Sequence, residues 1–324
     1  MIHARFTIRP RIALAVALAL VAALAAAVVA GCGGTSSASA GGGSSNATID
    51  AVGAENEYAN VIEQIGGKYV KVTAIESNPN TDPHTFEASP SVAEAVGAAS
   101  LLIENGVGYD TYMEKIESAG GAGPDSSRKV INVQHLLGLP DSTPNPHLWY
   151  KPQTMPAVAK ALVGDLSALA PTHAAYFQEN AKRFEASLKP WYAAIAKFKA
   201  AYPNTPVATT EPVGDYMLEA AGTKNLTPFP LQADIMNGTD PAPQLVTLQN
   251  SLFSGHKVKV FVHNQQVTDS LTESFVQAAK HAGIPVVGVY ETMPTPGYNY
   301  QSWMLAEVKA LEKAVAQGVS TEKL

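Results

Sequence analysis

PTHAAYFQENAKRFEASLKPWYAAIAKFKAA, residues 171–201, is the stretch on which the fold turns. His173, Phe177, Ala181, Phe184 and Leu188 recur at the three- and four-residue steps of one helical face. Pro190 lacks a backbone N–H and should kink or break that helix, but the pattern resumes through Trp191, Ile195 and Phe198. Residues 154–169 are helical in pattern as well. A helical run of this length, with no alternating segment inside it, divides the chain and acts as a stiff connector.

On both sides of it strands and helices alternate. Before it, residues 47–52 read as a strand, and 56–65 as a helix carried by Tyr58, Val61, Ile62 and Ile65 and stopped at Gly66-Gly67. Residues 69–75 alternate as a strand. Ser89 is an N-cap with Pro90 at the first helical position. A buried strand at 101–103, a helix at 110–116 and a strand at 129–133 follow. After the connector, strands are expected at 206–210, 258–262 and 284–289, and helices at 212–221, 242–253, 268–282 and 302–315. Such alternation implies a mostly parallel sheet. The expected class is α/β, two α/β lobes at 49–170 and 202–324 joined by a long connecting helix at 171–201. No repeat of fixed period is seen.

The start of the chain reads as an export signal. Arg5, Arg9 and Arg11 precede an unbroken apolar run from 12 to 30, which ends in Val29-Ala30-Gly31-Cys32. Cys32 is the single cysteine, so an intramolecular disulfide and a thiolate metal site are both excluded. Its setting resembles the lipobox of bacterial lipoproteins, which implies removal of residues 1–31, lipidation of Cys32 and a Gly/Ser-rich tether over 32–48. The expected location is extracytoplasmic, anchored to the cell membrane through lipid. With 22 Lys and Arg against 28 Asp and Glu, the chain carries a net charge of −6. It shows no basic patch, which argues against a nucleic-acid partner.

Candidate ligands come from strand ends, where open α/β sheets collect them. His84 lies in Asp82-Pro83-His84-Thr85-Phe86-Glu87, after the 69–75 strand. His147 lies in Asn145-Pro146-His147-Leu148-Trp149, after the 129–133 strand. Each follows a proline, which fixes its own backbone and restricts its predecessor. Glu211 follows Thr209-Thr210, and Glu291 follows Val289-Tyr290. Two imidazoles and two carboxylates, two from each half, suit one borderline divalent ion: Zn²⁺, Mn²⁺ or Fe²⁺. Glu87 is a candidate for the shell behind the ligands. His263 ends a strand and is the alternative imidazole. His135, His173, His256 and His281 stand without a partner motif.

Together, the Asp82–Glu87 and Asn145–Trp149 motifs, Thr210-Glu211-Pro212-Val213 and Ile284-Pro285-Val286-Val287-Gly288-Val289-Tyr290-Glu291-Thr292 resemble the solute-binding lipoproteins of zinc and manganese ABC importers, the ZnuA/TroA-like group. The likeness runs from about 49 to 315. It implies two α/β lobes on one long helix, and a metal site between them built from His84, His147, Glu211 and Glu291. In that group the third position is histidine in many zinc-type members and glutamate in many manganese-type ones, so Glu211 leans to the latter. The fourth is commonly aspartate, where this chain has Glu291. The His-rich loop of some zinc members is absent, residues 119–124 being Gly, Ala and Pro only.

The resemblance implies a monomeric receptor that captures a metal ion and passes it to an ABC importer permease in the membrane. A metal-dependent hydrolase is the competing class, since two His and a Glu can activate water. Against it, the chain has no His-Glu-x-x-His pair, and four protein ligands close the shell that a catalytic metal leaves open. A surface adhesin with a structural metal is the third reading.

Overall fold

The computed structural model describes residues 48–119 and 128–324. Cys32, the export signal and the tether up to residue 47 lie outside the described residues, as do 120–127.

The first half runs β1 (Ile49–Glu55), α1 (Asn56–Gly66), β2 (Val70–Glu76), α2 (Pro90–Ala98), β3 (Leu101–Glu104), α3 (Thr111–Ala119), β4 (Lys129–Asn132) and a single turn, α4 (Val133–Leu136). Three helices follow: α5 (Thr154–Leu169), α6 (Ala174–Ser187) and α7 (Lys189–Ala201). The second half runs β5 (Pro206–Thr209), α8 (Asp215–Ala220), β6 (Lys224–Asn225), α9 (Phe229–Met236), α10 (Pro243–Ser254), β7 (Val260–Asn264), α11 (Ser270–His281), β8 (Val286–Val289) and α12 (Tyr300–Gln317). Among the described residues no helix is long and apolar enough to cross a membrane.

Each half holds one four-stranded sheet, ordered β2-β1-β3-β4 and β6-β5-β7-β8, and every pairing is parallel. The class is α/β with two lobes, as the alternation required. The two sheets share one strand order, although no period marks it in the sequence. Parallel strands need crossovers, and the crossovers here are helices, so the strands enter from one end and leave all their C-terminal ends at the other. Close helix–strand approach fixes some glycines. A Cβ on Gly53 of β1 would stand 2.4 Å from the backbone nitrogen of Ala59 in α1.

The connector divides at Leu188, with Pro190 in the first turn of α7, where its missing N–H costs no helical bond. α6 packs on α1 and α5, and α7 packs on α8 and α12, so one helix belongs to each lobe. A single core runs under both. It takes in Trp149, Trp191 and Trp303, all fully buried, together with Tyr58, Tyr150 and Tyr300. The Tyr300 hydroxyl donates to the Trp149 carbonyl at 2.6 Å. The Tyr150 hydroxyl lies within hydrogen-bond reach of both the Tyr290 carbonyl and Glu307 Oε1, at 2.7 Å from each.

Four elements differ from expectation. α4 is a single turn, too short to show a period. β6 is two polar residues long and has no period to read. α9 starts at Phe229-Pro230, where prolines mask the helical pattern. α8 begins at Asp215 rather than Pro212, which leaves Glu211 in a loop well ahead of the helix instead of directly before it.

Candidate metal centre

His84 stands in a 3-10 turn, Pro83–Thr85, between β2 and α2. Asp82 sets the turn: its Oδ1 accepts from the His84 backbone N–H at 2.8 Å, and its carbonyl accepts from the Thr85 hydroxyl at 2.8 Å. His147 stands just before a second 3-10 turn, Leu148–Tyr150, and is wholly buried. Asn145 Oδ1 lies 2.8 Å from His147 Nδ1 and accepts from the His147 backbone N–H at 3.0 Å. The other end of that amide donates to the Pro212 carbonyl at 2.7 Å, across the lobes. With Oδ1 so fixed as an acceptor, Nδ1 carries the ring proton and Nε2 presents its lone pair.

Nε2 faces Glu291. Glu291 Oε2 lies 3.1 Å from His147 Nε2 and 3.2 Å from His84 Nε2, and accepts from the Tyr109 hydroxyl at 2.9 Å. The donor atoms of His84, His147 and Glu291 all lie within 4.8 Å of one another. The His84 ring keeps 21 % of its surface exposed, whereas the other two side chains have none. Tyr109 and Trp149 wall the His147 ring edge-on, at centroid distances of 5.8 and 5.4 Å.

Glu211 follows β5 and is 3 % exposed. It lies outside that group of three and is tied to it through Asn264, whose Nδ2 donates to Glu211 Oε1 at 3.1 Å and to Glu291 Oε1 at 2.7 Å. Glu211 Oε2 is buried without a partner.

Burial and charge set the protonation states. Burial raises the Glu291 carboxyl, but its close contacts with the His147 and His84 imidazoles outweigh burial and hold it well below the usual carboxylate range. Burial lowers His147, so it is neutral. Burial lowers His84 too, yet the Glu291 hydrogen bond and charge more than compensate, and the net shift is upward. Burial, then the nearby Glu291 charge, pushes Glu211 well above its ordinary value. The centre is therefore a buried convergence of nitrogen and oxygen acceptors that shares its protons, which is where a cation is stabilised.

Two expectations are corrected. Glu87 does not stand behind His84. The chain turns extended at Phe86, so the three-residue step from His84 to Glu87 carries no common face. Glu87 is exposed and lines a cavity of about 370 Å³ with Glu76, Asp82 and Thr292. His263 does not face the centre. Alternation along β7 sends Asn264 to it and His263 to the opposite face, where the ring stacks over Phe261 and burial pushes its pKa down to about 4. Asn264, Asn145 and Tyr109 are the residues that sequence reasoning missed. Asn145 sits inside the quoted motif, Asn264 obeys the strand-end rule beside the more conspicuous His263, and Tyr109 follows β3 by the same rule.

Comparison with known proteins gives a consistent result. The family model described as ZnuA, zinc-uptake complex component A, periplasmic, matches residues 52–314. The manganese-binding lipoprotein MntA of Bacillus subtilis is 28% identical over 162 residues, 49% of this chain and 51% of that protein. The zinc-binding protein TroA of Treponema pallidum is 26% identical over 112 residues, 34% of this chain and 36% of that protein. In sequence the chain thus spans about half, or less, of the length of these curated relatives. The solved structure of the periplasmic zinc-binding protein TroA from Treponema pallidum superposes with a TM-score of 0.68 at 17% identity, covering 84% of this chain and 99% of that one. The Mn-bound periplasmic metal-binding protein of Candidatus Liberibacter asiaticus gives 0.66 at 19% identity, covering 83% and 99%. At these identities the structural likeness speaks for the fold.

Proposed function

The chain belongs to the ZnuA family of zinc-uptake complex components, and from that premise we propose that it captures one divalent transition-metal ion between its lobes and delivers it to an ABC importer permease. It acts outside the cytoplasm as a monomer, held to the membrane by lipid on Cys32 after removal of residues 1–31, with 32–48 as tether. The working parts are the lobes at 49–170 and 202–324 and the connecting segment at 171–201. The family's uptake role fits a receptor and not an enzyme.

The observation that carries this reading is the convergence of His84, His147 and Glu291, with their donor atoms within 4.8 Å of one another. His84, His147 and Glu291 bind the ion directly, and Glu211 completes the shell as the fourth ligand. Asn145 keeps His147 in the binding tautomer, and Asn264 gives up part of its hold on the two carboxylates. Two imidazoles and two carboxylates accept Zn²⁺, Mn²⁺ or Fe²⁺. The zinc and manganese in the names of two relatives support the first two.

Competition titration against a chelator tests the proposal, with Zn²⁺ and Mn²⁺ in turn. His84→Ala and His147→Ala each weaken binding at least a hundredfold, while His173→Ala, stacked on Tyr69 far along the chain, binds as wild type does. Equal affinity in all three variants would remove the Pro-His loops from the site.

A further inference from the structure

Gln266 lies two residues beyond β7, 6 % exposed, with every arm of its amide in use. Its Oε1 accepts from the backbone N–H of Glu291 at 2.7 Å and of Thr292 at 2.8 Å. Its Nε2 donates to the Thr81 carbonyl at 2.7 Å and to the Thr292 hydroxyl at 3.1 Å. Its backbone N–H donates to Asn264 Oδ1 at 3.0 Å, which turns the Asn264 Nδ2 toward Glu211 and Glu291. The amide cannot be flipped: a flip would set its NH₂ against two N–H groups and its oxygen against the Thr81 carbonyl.

The bond to Thr81 crosses from the second lobe to the first. Thr81 adjoins Asp82, and Asp82 holds the His84 backbone. A shift at the Thr81 carbonyl is therefore felt at the imidazole within three residues. Its side chain thus fixes the backbone that carries Glu291 and the loop that carries His84, and its backbone N–H fixes the amide that holds both carboxylates.

We infer that Gln266 is a positioning residue, a clasp that holds the His84 loop against the Glu291 loop, and that its bond to the Thr81 carbonyl must break before the ion leaves. The inference rests on the metal-capture reading above. The Glu291 loop itself is not free to yield first. Its residues 290 to 293 are tied in succession by Tyr150, Gln266 and the Asn56 side chain, which bonds Met293 at both its N–H and its carbonyl. The His84 loop, partly exposed and bound across the lobes through the Gln266 amide and its own imidazole, is the part that yields.

Gln266→Glu separates the two arms. The carboxylate still accepts from Glu291 and Thr292, but it loses the donor to Thr81 and sets oxygen against oxygen there. Gln266→Ala removes both arms. Amide exchange is followed in metal-free and Zn²⁺-loaded protein, and Zn²⁺ release is timed by stopped flow against excess chelator. Gln266→Glu should speed exchange at Thr81, His84, Thr85 and Phe86 at least tenfold, leave Glu291 and Thr292 protected, and speed Zn²⁺ release at least tenfold. Added negative charge alone would slow release of a cation, so faster release cannot be a charge effect. Gln266→Ala should unprotect both loops. Wild-type exchange at 81–86 and wild-type release in both variants overturn the inference, and so does a uniform rise in exchange across both lobes, the mark of general destabilisation. Wild-type protein that takes up neither Zn²⁺ nor Mn²⁺ would defeat the capture reading instead. Exchange in metal-free protein would still decide whether the clasp exists.

Discussion

Glu307 is a buried carboxyl with one oxygen satisfied and one bare. Tyr150 and Trp303 donate to Oε1 at 2.7 and 2.8 Å, while Oε2 has no partner. Burial raises its pKa from 4.5 to about 8, the two hydrogen bonds offsetting only part of the shift. A carboxyl raised on folding stabilises fully below its unfolded value and loses that stabilisation as pH climbs through the folded one. Metal-free protein should therefore lose stability from about pH 5 to about pH 8. Burial raises Glu55, Glu57 and Glu76 as well, in the same direction. Glu307→Gln, neutral throughout, should make the fall shallower by a few kcal/mol, read by urea unfolding across that range. A slope identical to wild type would mean Glu307 is ionised in the fold. At this scale the sequence was legible where a residue carried its own marker. Pro83 and Pro146 flagged the two imidazoles, and strand ends flagged Glu211 and Glu291. Gln266 carried none: its role lies in hydrogen bonds to residues 25 and more positions away, which periodicity does not encode.

Helices and strands were legible wherever period or capping was strong. α5 lies at the predicted residues, and α2 begins where Ser89 accepts from the Val92 N–H ahead of Pro90. The start of α8 was not, because Pro212 is a common first helical residue, whereas here its carbonyl closes a turn with the Asp215 N–H and accepts from Asn145 across the lobes. The β1–α1 pair gives the sharpest test of an element. The Cβ of Gly53→Ala would meet backbone, Ala59 N at 2.4 Å and Cα at 2.8 Å, and backbone in a helix cannot rotate aside. Overpacking of this kind costs roughly 1–3 kcal/mol, so Gly53→Ala should lower the melting temperature by several degrees. An unchanged melting curve would show that α1 can ride outward freely.

Across the whole molecule, the lobes are bound by more than the connector. Tyr300 reaches Trp149, Tyr150 reaches Tyr290 and Glu307, Asn60 Oδ1 accepts from the Tyr300 N–H, and Gln64 and Gln301 exchange side-chain bonds. Exposing roughly 200 Å² of this aromatic core would cost about 5 kcal/mol at about 25 cal/mol per Å². Wide opening is thus a poor route for release, and small-angle scattering should give the same radius of gyration with and without metal. A clear increase on metal removal would show hinge opening instead. The two-lobe plan was legible from the helical run at 171–201. The shared strand order was not, because topology depends on which strands pair and leaves no period in the chain. That shared order brings two like half-sites edge to edge, with imidazoles from one and carboxylates from the other. Neither half is choosy alone: a pair of imidazoles is a weak base for many ions, and a pair of carboxylates welcomes any hard cation. On the proposed metal capture, discrimination is a property of the seam, so a protein cut there would yield two fragments that each recognise little.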